Sequence, residues 1–235
     1  MMSYNLQLIH RLKLLFIKFV ASQHIVYFSP KALLDMLKMK LYDLSKLHKR
    51  SQSSVIFLDC DGTLWPDSGP GCFLDEKLLS SPKLTSILTL SKQYDAVFFV
   101  TNQSFFARLP TYSIKDLIRF FKFYRKLANI FNASAVFVCL HHPKAKNISL
   151  KVRCNSRKPQ PKMIWMAKFF VDIDYKTSIF LGDRISDIYA GYRSGLANCL
   201  ALYNEELFSK NFEMENDESL EAVFFRVVVP ATVNK

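Results

Sequence analysis

From Val55 onward, short apolar blocks alternate with longer mixed segments. The blocks are VIFL (55–58), AVFFV (96–100), AVFV (135–138), SIFL (178–181), ANCLAL (197–202) and a weaker FFRVVV (224–229). Most are apolar at consecutive rather than alternate positions and too short for helices, the pattern of strands buried on both faces. Between them, Ser113–Phe131 and Lys162–Phe170 carry helical periodicity. Strands separated by helices predict an α/β fold, a parallel sheet with helices on both faces. Such sheets bind ligands at the carboxyl ends of their strands, near the point where strand order reverses.

The first fifty residues follow a different pattern and read as two helical stretches broken near FSPK. The first, NLQLIHRLKLLFIKFV, is interrupted by Arg11, Lys13 and Lys18, so no apolar run reaches the roughly 18–20 residues that span a bilayer. The second runs from Pro30 to about Leu47, with Leu33, Leu34, Leu37, Leu41 and Leu44 at helical spacing. Residues 1–52 are thus predicted to be a basic amphipathic helical extension, and residues 53–235 the main domain. The extension reads most simply as an arm packed on its own domain or on a second subunit. No acid precedes Asp35, so a targeting peptide or a helix lying on an anionic membrane surface is the other reading. The acidic stretch EMENDESLEA reads as a solvated helix before the last strand.

Half of the 235 residues are hydrophobic, enough for a packed core. Five cysteines without framework spacing suit a reducing, cytoplasmic setting. The net charge of +12 invites a nucleic-acid reading, but residues 1–50 hold nine Lys/Arg against two Asp/Glu, or +7 of that total. The remaining +5 is ordinary for an enzyme that handles phosphorylated substrates.

The strand ends carry the chemistry. VIFL runs into Asp59 and Asp61, AVFFV into Thr101, Asn102 and Gln103, and SIFL into GDRISD, with Asp183 and Asp187. Arg157 and Lys158 lie in RKPQP, between the third and fourth runs. A parallel sheet delivers all of these to one edge, where the carboxylates repel one another unless a cation sits among them. Few protein oxygens around a hard cation suit Mg²⁺, which retains waters and takes a substrate phosphate. One carboxylate can then attack phosphorus, and a second can protonate the leaving oxygen and later activate water. Thr101 and Lys158 are placed to hold phosphoryl oxygens. Each piece alone is weak: a D-x-D usually marks a turn, and R-K-P a solvated loop. Four in this order, three of them directly after apolar runs, are a specific signal.

The set resembles the haloacid dehalogenase superfamily, with DCDGT as its first motif, TNQ its second, Lys158 its third and GDRISD its fourth. The resemblance covers roughly Val55–Leu202 and implies a Rossmann-like core, and the finer resemblance given below implies that it lacks a large cap domain. It implies Asp59 as nucleophile and Asp61 as general acid/base. Mg²⁺ would be held by Asp59, the main-chain carbonyl of Asp61 and Asp183, with Asp187 assisting. TNQS, CLHHP, CNSRKPQPKM and GDRISDIYAG are similar to the branch of the heptose bisphosphate and histidinol-phosphate phosphatases. That finer resemblance carries Arg157, Lys158 and Asn102 over as substrate-contacting residues. It also implies a structural zinc bound by Cys139, His141 and Cys154, with Ser156 at the fourth ligand position. Serine is a poor zinc ligand. The site is then either a three-ligand zinc completed by water or a loop that binds no metal.

The expected activity is Mg²⁺-dependent hydrolysis of a small phosphorylated metabolite, with a sugar bisphosphate, D-glycero-D-manno-heptose 1,7-bisphosphate, as substrate. Histidinol phosphate and a 3′-phosphorylated polynucleotide are the rival substrates. The core lacks the interleaved aromatics and basics that stack a single strand. A non-enzymatic role, binding a membrane surface or a partner through the arm, is the rival from another class.

Overall fold

The computed structural model describes residues 25–28, 52–66 and 71–202. Six strands form one sheet: β1 (Ile25–Phe28), β2 (Val55–Leu58), β3 (Ala96–Asn102), β4 (Ala135–Cys139), β5 (Ile179–Gly182) and β6 (Asn198–Ala201). The order is β1-β4-β3-β2-β5-β6, parallel throughout except for β1, which runs antiparallel along β4. The predicted apolar blocks from 55 to 202 are these strands, within one or two residues at each end. FFRVVV lies outside the described residues.

β1 falls in the interval left between the two predicted N-terminal helical stretches, which themselves lie outside the described residues. Tyr27 and Phe28 stand opposite Val136 and Ala135, so the segment 1–52 contributes a strand to the core sheet. Reading that segment as helical did not include this strand.

Both faces of the sheet are covered, which is why its strands are apolar at every position. Ile56, Leu58, Val97, Phe99, Val136 and Val138 pack beneath α1 (Pro82–Ser91) and α3 (Ile114–Phe131). Val55, Phe57, Phe98, Val100, Phe137 and Phe180 point to the other face, onto α4 (Lys162–Trp165) and the region of α5 (Ile185–Ser194). On that face Phe180, Phe57, Phe98 and Phe137 stack across four adjacent strands, with ring centroids 6.4, 5.7 and 5.6 Å apart. Each such ring contributes about 2–3 kcal/mol by leaving water. α3 begins where predicted, with Ser113 accepting from the Asp116 N–H at 3.1 Å, and ends at Asn132 in the left-handed region. The short helix α2 (Phe105–Arg108) follows β3 directly.

The chain lays down β2, β3 and β4 in one direction, then crosses back to place β5 on the far side of β2. Strand order therefore reverses between β2 and β5, and the carboxyl ends of these two strands flank the crevice. Among the described residues no inserted domain covers it. No helix among them is long and apolar enough to cross a membrane.

Candidate active site

Asp59 stands at the end of β2, still tied to the sheet by its N–H, which donates to the Leu181 carbonyl of β5 at 2.9 Å. The chain then turns sharply: Leu64 N–H donates to the Cys60 carbonyl at 2.8 Å, and Gly62 N–H to the Trp65 carbonyl at 2.9 Å. Gly62 has φ +82°, and a Cβ there would run into the carboxylate of Asp183. Glycine is thus required twice, for the turn and for the approach of this loop to the acid that follows β5. Gly182 meets a similar demand, since a Cβ would overlap the Asp187 side chain.

Lys158 joins these pieces. Its ammonium lies 2.7 Å from Asp59 Oδ1 and 2.7 Å from Asp187 Oδ1, and donates to the Val100 carbonyl at 2.8 Å. All three side chains are buried. Asn102 holds the lysine's main chain from both sides: its Oδ1 accepts from Lys158 N at 3.0 Å, and its Nδ2 donates to the Lys158 carbonyl at 3.1 Å. The other oxygen of Asp187 accepts from the Arg184 N–H at 3.0 Å and so closes the first turn of α5. Asp187 therefore orients Lys158 and fixes the helix in one stroke.

Asp61 is held differently. Trp65 Nε1–H donates to its Oδ1 at 2.9 Å, and Gln103 Nε2 to its Oδ2 at 2.7 Å. Gln103 also donates to Thr101 Oγ1 at 3.0 Å, which leaves the threonine O–H as a donor beside Asp59 and Lys158 in the same cleft. Trp65 itself is buried against Phe123. From the sequence Gln103 has no assigned role, while Trp65 reads either as lining the site or as packing, and the structure shows it doing both. Gln103 was signalled only by its place in TNQ, and Trp65 by its distance of four residues from Asp61.

The electrostatics call for a cation. Carboxylate oxygens of Asp59, Asp183 and Asp187 all lie within 4.8 Å of one another, with one ammonium among them. Burial, together with the Asp187 charge, pushes Asp59 up to about 8 against the pull of Lys158. Burial and the same neighbour raise Asp183. For Lys158, burial disfavours the charge, but Asp187 and Asp59 outweigh it and hold the group above its ordinary value. Three carboxylates face the Lys158 ammonium and the more exposed Arg184 guanidinium, 3.7 Å from Asp183, and the negative charge left over fits a hard divalent ion. The carboxylate of Asp61 is not in this cluster, because Trp65 and Gln103 turn it elsewhere.

The cleft has a volume of about 350 Å³. Besides the acids, it is lined by Arg108, His142, Arg157 and Arg184, of which only Arg157 was predicted. Arg108 and Arg184 carry no sequence signal of their own. Arg157 is half-buried and donates from Nη1 to the His141 carbonyl at 3.0 Å.

That contact leads to a second cluster. Donor atoms of Cys139, His141 and Cys154 lie within 4.8 Å of one another, a separation that fits one tetrahedral ion. Ser156 is buried beside them, its N–H donating to Cys154 Sγ at 3.3 Å. Burial first, then the neighbouring Cys154, push the Cys139 thiol up to about 12, so without a bound cation the group rests as a neutral thiol. The geometry gathers the three predicted zinc ligands; among the described residues it adds no fourth sulfur or nitrogen donor to them.

No family model matches this chain. The D-glycero-β-D-manno-heptose-1,7-bisphosphate 7-phosphatase of Photorhabdus laumondii is 32% identical over 141 residues, covering 58% of this chain and 73% of the relative. The corresponding α-anomer 7-phosphatase of the same organism is 30% identical over 156 residues, covering 64% and 83%. A crystal structure from Mesorhizobium loti, described as a HAD-like phosphatase, superposes with a TM-score of 0.53 at 23% identity, covering 65% of this chain and 73% of that one. The last comparison establishes the fold, and the first two establish kinship. The chain is a phosphatase of the haloacid dehalogenase superfamily and belongs to its heptose-1,7-bisphosphate 7-phosphatase branch.

Proposed function

We propose that the protein removes the 7-phosphate of D-glycero-D-manno-heptose 1,7-bisphosphate through an aspartyl-phosphate on Asp59. The supporting observation is the division of labour between two carboxylates one residue apart. Asp59 is buried on Lys158 among the acids, while Asp61 is aimed by two neutral donors. In the first half-reaction an Asp59 oxygen attacks phosphorus, and the bond from phosphorus to the sugar oxygen breaks. Asp61 gives its proton to that oxygen. In the second, Asp61, now a carboxylate, takes a proton from water. The resulting hydroxide attacks phosphorus, and phosphate leaves Asp59 free. Thr101 O–H and the Lys158 ammonium stabilise the phosphoryl oxygens.

Asp59, Asp183 and the Asp61 carbonyl would hold Mg²⁺, which when bound neutralises phosphoryl charge. Asp187 assists by holding Lys158. Cys139, His141 and Cys154 would hold zinc, whose part is structural: it ties β4 to the loop that presents Arg157 to the substrate. Asn102 keeps Lys158 in register.

Phosphate release with Mg²⁺ tests this reading. The panel contains both heptose 1,7-bisphosphate anomers, histidinol phosphate and a 3′-phosphorylated oligonucleotide, with Asp59→Asn as blank. The expected result is a clear preference for a heptose bisphosphate and no turnover by a folded Asp59→Asn protein. Substantial turnover by that variant would remove Asp59 as nucleophile, and equal, feeble rates across the panel would remove the heptose assignment.

A further inference from the structure

The turn that follows Asp59 is also held from outside, by side chains at the amino-terminal end of α1. They engage two of its main-chain carbonyls, one on either side of Thr63. Lys83 Nζ donates to the Gly62 carbonyl at 2.5 Å, and Ser81 Oγ donates to the Leu64 carbonyl at 2.7 Å. The same Ser81 oxygen accepts from the Leu84 N–H at 3.1 Å and so caps α1. The partners are 21 and 17 positions apart, so the chain leaves the turn and is tied back to it where α1 begins.

Lys83 is poorly placed for the helix and well placed for the turn. It stands in the first turn of α1, which holds no acid, and a cation there opposes the helix dipole. Breaks of a local preference gather at functional positions. What the lysine grips is Gly62, the residue packed so closely on Asp183 that a Cβ would meet its carboxylate. The next residue, Thr63, is buried, and its hydroxyl donates to Asp183 Oδ1 at 3.4 Å. The turn is thus held between Lys83 on one side and the acid that follows β5 on the other.

We propose that Lys83 is a positioning residue for the reaction: with Ser81 it fixes the Gly62 and Leu64 carbonyls and so keeps the turn seated on Asp183. The Asp61 carbonyl belongs to the peptide bond that leads into Gly62, so the clamp sets that carbonyl relative to Asp183. The inference rests on the reading above, in which both groups hold Mg²⁺, and deepens it. Lys83 does not line the cleft, so it acts through the turn. Its charge and its grip pull in opposite directions on a bound dication: a nearby cation repels the ion, whereas a fixed turn gathers its ligands. Removing the side chain shows which of the two governs.

The test compares the wild type with Lys83→Met, which keeps the stem, and Lys83→Arg, which keeps a charged donor. In a folded Lys83→Met protein the Mg²⁺ dissociation constant from calorimetry is expected to rise about tenfold. Because the Asp61 carboxylate rides on the same turn, kcat at saturating Mg²⁺ should fall about tenfold with substrate KM little changed. Lys83→Arg is expected to recover most of both losses. Tighter Mg²⁺ binding in Lys83→Met overturns the proposal, because the lysine would then act by its charge alone. So do unchanged affinity and kcat, which would mean that the turn holds itself. Should the wild type bind no Mg²⁺, the metal reading falls alone, and the clamp is read from Trp65, the fully buried neighbour of Leu64. With Trp165, the other tryptophan, changed to phenylalanine, acrylamide quenching of Trp65 should rise about twofold or more in Lys83→Met. Equal quenching with and without Lys83 overturns the clamp.

Discussion

Replacing Lys158 by methionine tests the electrostatic centre of the site. The change keeps the length and the apolar stem of the side chain but removes a buried ammonium that lies 2.7 Å from both Asp59 and Asp187. At an effective dielectric of about 20, each contact at that distance is worth roughly 6 kcal/mol of gross attraction. Most of it offsets the cost of bringing the charges out of water, so the pair is not a net stabiliser of that size. Breaking it is a different matter. Two carboxylates remain buried without a counter-charge, and the loss for such a site is about 3–5 kcal/mol, a large part of the roughly 5–15 kcal/mol that holds a domain together. Urea unfolding without Mg²⁺ reads it as a lower midpoint at unchanged slope. Mg²⁺ should restore more stability to the variant than to the wild type, because it neutralises the same oxygens. A further change, Asp187→Asn, should recover part of the loss by removing one of the stranded charges. A loss below about 1 kcal/mol in Lys158→Met, with no coupling to Asp187→Asn, would refute Lys158 as the counter-ion of this cluster.

Four further outcomes are expected. Gln103→Leu frees one oxygen of Asp61 and should lower kcat about tenfold or more with KM little changed, in steady-state kinetics; an unaltered kcat would deny the glutamine a positioning role. Gly62→Ala combines a strained φ of +82° with a collision at Asp183, so Mg²⁺ affinity measured by calorimetry should fall at least tenfold; wild-type affinity would show that the loop can yield. Asp59 is raised to about 8, mainly by burial, so its contribution to stability without metal is present below pH 4 and fades as pH climbs through that value. Mg²⁺ replaces the proton, and the rise in Tm on adding it should grow between about pH 5.5 and pH 8; a rise that shrinks with pH would contradict this. Finally, Ser156→Cys adds a thiolate at the fourth ligand position and should tighten zinc about 100-fold in chelator competition; no gain would mean that residue 156 does not face the ion.

The alternation of apolar blocks and helical segments determined the β2–β6 strands and their parallel arrangement, because a strand covered on both faces must be apolar at every position. It also determined that Asp59, Thr101 and Asp183 share an edge, since each directly follows such a block and parallel strands end together. The partners of those residues were another matter. Lys158 meets Asp59 across 99 positions of chain and Gln103 meets Asp61 across 42, and no local pattern encodes contacts of that span. The place of Ile25–Phe28 was hidden for a related reason: four residues paired antiparallel on β4 leave no period of their own within a segment whose leucines read as helix. The sequence assigned no role to Lys144 and Lys146; a hydrogen bond from the Lys146 N–H to the Ala107 carbonyl of α2 holds their loop beside Arg108, and only tertiary structure decides whether a run of charges is dispersed in water or converges on one point.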